Sequence, residues 1–254
     1  MKRKRRSVLK SVIQLLVVLS ALCISAYFII AYINTPQSVR YPEFGIDIPL
    51  NYSIHGIDVS RFQGVIDWED VKAMNVKDIR IRFAYMKATE GVDDVDDQFR
   101  RNWLEAEEYD LPKGAYHYFI AGKSGTLQAK NFISIVRLKR GDLPPVLDIE
   151  KANSTDAETI KKEIAEWLNA VQLHYHITPI IYSNIDFYNK YVKGFFDTYP
   201  FWVSHYLQPQ KPRIDRKWIF WQHNENGHVD GVRTTVDFNV FYGDSTEFRD
   251  LLLK

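Results

Sequence analysis

Two carboxylates, two residues apart, close the run Pro144-Pro145-Val146-Leu147-Asp148-Ile149-Glu150. On a β-strand an i, i+2 pair projects from one face while Leu147 and Ile149 project from the other. The rise per residue sets the two Cα atoms roughly 6.5–7 Å apart, near the separation at which paired carboxyls flank a glycosidic bond. An acid-x-acid triplet is common in a chain with 32 acidic residues, so the pair gains meaning only from its surroundings. Three further acids stand in or just after β-type sequence: Asp58 in Gly56-Ile57-Asp58-Val59-Ser60, Asp237 in Val236-Asp237-Phe238-Asn239, and Glu90 in Lys87-Ala88-Thr89-Glu90-Gly91. Carboxyls gathered on one rim push their pKa values apart, leaving one protonated and one ionised. Glycoside hydrolysis needs that division. Taken singly, Asp58 and Asp237 are equally readable as loop caps.

Other chemistries find less support. His174 and His176 sit at a helix end and His223 and His228 in an Asn/Gly-rich stretch, and no pair has zinc spacing with a third ligand. There is no Ser-His-Asp arrangement and no phosphate-cradling glycine loop. The single cysteine, Cys23, lies in an apolar N-terminal run.

To converge, the acids need a scaffold that brings distant strand ends together. Strands are expected at His55–Val59, Ile79–Lys87, Gly114–Phe119, Val146–Glu150, Pro179–Ser183, Phe201–His205, Trp218–Gln222 and Thr235–Phe238. Helices are expected at Trp68–Met74, Gln98–Tyr109, Thr126–Leu138 and Ala157–His174, with shorter pieces near Phe187–Tyr191 and Thr246–Leu252. The Ala157–His174 segment is the clearest, because Ile160, Ile164, Trp167, Leu168 and Val171 share one face; Ser154, Thr155 or Asp156 is its cap. Eight strands with interleaved helices predict a closed α/β barrel, made irregular by short connections after Ser183. In such a barrel chemistry belongs at the C-terminal ends of the strands, where Asp148 and Glu150 close the fourth.

The chain has 254 residues, 46% hydrophobic and 14% aromatic, enough for one domain with a full core. A net charge of +1 offers no electrostatic case for nucleic acid. Lys2, Arg3, Lys4, Arg5 and Arg6 precede a largely apolar run from about Val12 to Ile33, long enough to span a bilayer as a helix. Positive charge before it predicts a cytoplasmic N-terminus and an exported remainder. Residues 1–34 are therefore expected to be a basic stub and transmembrane signal-anchor, the alternative being secretion after cleavage. Residues 35–51, with Pro36, Pro42 and Pro49, read as a linker, and 52–254 as the barrel domain. The exported part contains no cysteine, so packing alone must hold it.

The motifs above, together with Gln63-Gly64-Val65-Ile66-Asp67-Trp68, Gly114-Ala115-Tyr116-His117-Tyr118-Phe119, Tyr182-Ser183-Asn184, Trp202 to Tyr206 and Trp221-Gln222, occur in an order that resembles the glycoside hydrolase family 25 lysozymes, the Chalaropsis-type N-acetylmuramidases. The resemblance runs from about Ile54 to Tyr242. It implies a flattened, irregular (β/α) TIM-like barrel; the expected N-terminal transmembrane helix lies outside the resemblance. It implies hydrolysis of the β-1,4 bond between N-acetylmuramic acid and N-acetylglucosamine in peptidoglycan, with no metal or organic cofactor. Glu150 would be the general acid, and Asp148, Asp58 and Asp237 the other acids of the cleft. Asp148 would either attack the anomeric carbon or orient the substrate's 2-acetamido group as an internal nucleophile, and the second is favoured, with Asp148 or Asp237 ionised beside the acetamido nitrogen. Tyr116, Tyr118, Tyr182, Trp202, Tyr206 and Trp221 are the expected sugar platforms, with Gln222, Lys87 and Glu90 as polar partners. The expected partners are peptidoglycan strands and, through the N-terminal helix, the bacterial cytoplasmic membrane, with the barrel monomeric. Competing readings are a binding module that no longer hydrolyses and a hydrolase of chitin-like polymers.

Overall fold

The computed structural model describes residues 13–28 and 37–254, in two compact units that divide between Gln37 and Ser38. In the first unit residues 13–28 are helical, and Leu15, Leu16, Val17, Val18 and Leu22 are exposed. Among the described residues no helix is long and apolar enough to cross a membrane. The basic residues 2–6 and both ends of the expected span (12 and 29–33) lie outside the described residues.

The second unit begins earlier than the sequence implies. The expected linker is, from Ser38 onward, a hairpin: Ser38–Tyr41 pairs antiparallel with Ile46–Pro49. Ile46 and Ile48 are buried and Asp47 is exposed, the period-two alternation of a half-buried strand. Phe44, in the turn, is fully buried with its ring 5.2 Å from that of Phe238. Of the prolines that suggest a tether, Pro42 falls in the turn and Pro49 at a strand end, where no ladder N–H is required, and Pro36 lies outside the described residues.

Eight strands form the barrel: β1 His55–Val59, β2 Ile79–Glu90, β3 Lys113–Tyr118, β4 Val146–Asp148, β5 Ile180–Asn184, β6 Phe201–Ser204, β7 Phe220–Gly227 and β8 Val236–Phe241. Neighbours in sequence are neighbours in space, and β1 pairs with both β2 and β8 to close the ring. β1 through β7 run parallel. β8 runs antiparallel to β7 and β1. Only residues 228–235 join β7 to β8, too few for a crossover, so the chain must turn back as a hairpin. The N-terminal end of β8 therefore lies at the rim where the other strands have their C-terminal ends.

Helices α1 Trp68–Ala73, α2 Phe99–Glu108, α3 Gly125–Ile135 and α4 Ala157–Tyr175 follow β1 to β4. Asp67, Ser124 and Asp156 cap α1, α3 and α4 by accepting from first-turn amides. After β5 there is only a short turn, Ile185–Phe187, continued by a π-helical turn Tyr188–Val192, and after β6 no helix at all. The final helix, α5 Ser245–Leu251, packs Phe248 under the barrel against Phe83 and Phe241.

Strand parity sorts the side chains. Phe83, Tyr85, Val146, Ile180, Trp202, Phe220 and Phe241 make an inner cluster, while Ala84, Met86, Leu147, Ile181, Val203 and Trp221 belong to the outer core. The inner rings leave no room on β1 and β3. A Cβ at Gly56 would lie 2.5 Å from the Phe83 ring, and one at Gly114 would lie 2.1 Å from the Tyr85 ring. Both positions are restricted to glycine by close approach rather than by backbone angle.

Candidate active site

At the C-terminal end of the parallel strands the inner face changes from aromatic to polar and opens into a cavity of about 310 Å3. Asp58, Asp148, Glu150 and Asp237 all line it, as do Lys87, Tyr116, Tyr118, Tyr182, Trp202, Tyr206 and Gln222. Residues up to 181 positions apart in sequence meet here because barrel closure brings β8 beside β1.

Asp237 stands directly opposite Asp58 in the β8–β1 register. The two carboxyls hydrogen-bond, and their common burial settles the proton. Asp58 Oδ2 also accepts from Asn239 Nδ2 at 2.7 Å and Gln222 Nε2 at 2.9 Å. Burial pushes Asp58 up to about 6, and these donors hold it from going further. Among the described residues no such donor reaches Asp237. Burial, then the adjacent Asp58 charge, carries it to about 9. Asp237 therefore keeps the shared proton and Asp58 carries the charge.

Asp148 ends β4 between Tyr118 of β3 and Tyr182 of β5. It is 7% exposed, and its Oδ1 has no hydrogen-bond partner among the described residues. Burial, then the charges of Glu150 and Asp58, raises its pKa well above the ordinary aspartate value, with Lys87 opposing. Glu150 lies just beyond the strand, on a segment tied to β5. Ile149 N donates to Tyr182 O at 3.0 Å, Ser183 Oγ to Ile149 O at 2.7 Å and Asn184 Nδ2 to Glu150 O at 3.4 Å. Its carboxyl is half-buried and raised by that burial, against the neighbouring Tyr182 hydroxyl and the charges of Lys151 and Lys87.

Gln222 organises one wall. While its amide nitrogen holds Asp58, its Oε1 accepts from the hydroxyls of Tyr182 at 2.8 Å and Tyr206 at 2.7 Å. Trp202 is 2% exposed; its Nε1 donates to Asn239 Oδ1 at 3.0 Å and its ring packs edge-on against Tyr182. Trp202 thus orients Asn239 from the floor more than it offers a flat face. Tyr118 is the more open ring, with Lys87 Nζ 4.9 Å from its centroid.

Two expected binding residues fall elsewhere. Trp221 is fully buried on the outer side of β7, its Nε1 donating to His205 O at 2.8 Å. One step along a strand reverses the face, so Gln222 can line the cavity only if Trp221 does not. Glu90 is absent from the lining; its Oε2 lies 2.5 Å from Lys87 Nζ, which makes it the partner of the lysine rather than a wall of the cavity.

Five lining or supporting residues were not anticipated. Ser60, Phe62 and Gln63 come from the short 3-10 turn after β1, closed by a capping box between Ser60 and Gln63. Phe62 is 75% exposed at the mouth. The S-x-x-Q spacing was the available signal. Asn239 was readable from parity with Asp237. Glu225 was not, because two register shifts in β7 carry it to the rim.

Residues 57–232 match Glycosyl hydrolases family 25. The chain is 45% identical to the protein named YegX from Escherichia coli strain K12 over 207 residues, 82% of this chain and 76% of that one. It is 35% identical to Lysozyme M1 of Streptomyces globisporus over 206 residues, 75% of this chain and 68% of that one. Its fold superimposes on a family 25 glycosyl hydrolase from Bacillus anthracis with a TM-score of 0.73 and 32% identity, covering 80% of this chain and 95% of the other. The order of the motifs, the closed barrel and these likenesses agree: the chain belongs to glycosyl hydrolase family 25.

Proposed function

We propose that the protein is a lysozyme, a β-1,4-N-acetylmuramidase that cuts the N-acetylmuramic acid–N-acetylglucosamine bond of peptidoglycan. The observation that carries this reading is the meeting of four carboxyls from three barrel strands in one tyrosine-lined cavity of a family 25 chain. The likeness to Lysozyme M1 supports the substrate.

In this reading Glu150 is the general acid. Its raised pKa keeps a proton available, and its place beyond the strand end leaves it open to the leaving oxygen. The unpartnered Oδ1 of Asp148 suits it to accept the N–H of the substrate's 2-acetamido group. The acetamido oxygen then attacks C1 as the C1–O bond breaks, and the released electron pair takes the Glu150 proton. A water opens the resulting ring at C1, giving its proton to the Glu150 carboxylate and regenerating the acid. Asp58, ionised and fixed by Asn239 and Gln222, supplies negative charge near the developing oxocarbenium, while neutral Asp237 prevents a second charge beside it. The apolar run after residues 2–6 is read as a membrane anchor that leaves the barrel on the exported side.

Mass spectrometry of products from purified peptidoglycan tests the bond. Muropeptides with N-acetylmuramic acid at the reducing end are expected, with chitin left intact. Products ending in N-acetylglucosamine, or equal cutting of chitin, would refute the assignment.

A further inference from the structure

The opposite end of the barrel carries a second cavity, of about 490 Å3, which the proposed hydrolysis does not use. Four cations, Lys72, Arg80, Arg82 and Arg249, line it with a single acid, Asp78. All four are exposed, and among the described residues none makes an ion pair within 4 Å. Three of them hydrogen-bond neutral acceptors: Lys72 Nζ donates to Asp110 O at 2.7 Å, Arg80 Nε to Asn75 Oδ1 at 3.0 Å and Arg249 to Thr246 Oγ1 at 3.1 Å. This concentration runs against the balance of the domain, since residues 38–254 hold 27 Lys and Arg against 32 Asp and Glu. Like charges left unpaired together point to an anionic ligand.

The same end is where the chain enters the domain. Ser38 pairs with Pro49, three residues before Tyr52. The Tyr52 ring packs against Trp218 and Tyr242, which flank the lower ends of β7 and β8. Leu252 also lines the basic cavity, and Leu251 and Leu253 beside it are half-exposed, so apolar surface adjoins the cations. Cations with a neighbouring apolar edge fit phosphate headgroups above an acyl layer.

We propose that the base of the barrel docks on anionic phospholipid headgroups, with Lys72, Arg80, Arg82 and Arg249 holding the phosphates. Docking there turns the catalytic cavity, at the other end of the strands, away from the bilayer and toward the wall. The proposal rests on the membrane anchor proposed above, so the two must be able to fail separately.

The test uses the full chain in nanodiscs. Amide hydrogen exchange over residues 75–82 and 245–254 is compared in phosphatidylglycerol-containing and pure phosphatidylcholine discs. Docking predicts protection in the first only, lost in 0.5 M salt. Each of Arg82→Gln and Arg249→Gln should weaken it roughly fivefold, and the quadruple Gln variant should abolish it. Hydrolysis of soluble glycan fragments by the variants should stay at the wild-type rate, which also certifies their folding. Equal protection in both discs, unchanged protection in the single variants, or the same protection produced by inorganic phosphate in phosphatidylcholine discs would overturn the proposal. Failure of the full chain to enter discs at all would instead remove the anchor.

Discussion

Asp142 and Asp148 stand six residues apart, one ahead of β4 and one at its end, and both are almost fully buried. At the base, Asp142 accepts from Lys113 Nζ at 2.7 Å and from the Lys139 amide at 2.9 Å. Glu107 adds a second carboxylate, 3.3 Å from Lys113 and in contact with Lys139. At the rim, Asp148 has one orphaned oxygen and faces three other carboxyls, with Lys87 the cation opposing them. One end of the strand satisfies its buried charge and the other leaves it wanting. A carboxylate that is buried, unpaired and raised in pKa costs stability, so its presence argues for work on a ligand.

Exchanging charge for amide at the two ends should give opposite results. Asp148→Asn is expected to lower kcat by roughly 10^2–10^4, with an unchanged or higher melting temperature because a buried, incompletely paired carboxyl among like charges is gone. Asp142→Asn should leave kcat near wild type and cost about 3–5 kcal/mol, since Lys113 loses its closest counter-charge in the interior. Thermal unfolding and turnover measured on both variants settle the contrast. Loss of activity without loss of stability in Asp142→Asn would break it.

The pH dependence of stability sharpens the same contrast. Asp237 is held at about 9, above its unfolded value. Its proton stabilises the folded state fully below the unfolded pKa, and this contribution is lost as pH rises through 9. Between pH 5 and 9 the wild type should lose about 1 kcal/mol or more, roughly 2–4 °C in Tm for a domain of this size. Asp237→Asn, neutral throughout, should show a flatter profile by calorimetry. A steeper fall in the variant would place the proton elsewhere.

Smaller effects belong to residues that support or border the rim. Trp202→Phe removes the donor that fixes Asn239 and should lower kcat about tenfold, with about 1 kcal/mol of lost stability. Phe62→Ala, at the exposed mouth, should raise KM about threefold with kcat unchanged, as expected of uniform binding.

Much of this arrangement was legible in the sequence, for identifiable reasons. The strands bearing Asp58, Asp148 and Tyr182 are short apolar runs with clear turn punctuation, and their bounds differ from expectation by at most two residues. The α4 face followed from helical spacing, and N-cap chemistry narrowed the cap to Ser154, Thr155 or Asp156, of which Asp156 is the one that caps. Three features escaped. Proline at 36, 42 and 49 masked a hairpin whose alternation, Ile46-Asp47-Ile48, was the better guide. The reversal of β8 depends on tertiary closure, and the connection short enough to demand it appears only once β7 is seen to extend to Gly227. Trp221 reads as a platform in the sequence because aromatic type is visible locally, while strand parity at the rim is fixed only by Gln222 facing Asp58.

The central claim, that the half-buried acid just past β4 drives the reaction, is tested most directly by Glu150→Gln. Initial rates on purified peptidoglycan should fall by roughly 10^2–10^4, with the thermal unfolding midpoint within about 2 °C of wild type. Turnover within tenfold of wild type in a folded Glu150→Gln protein would contradict the account.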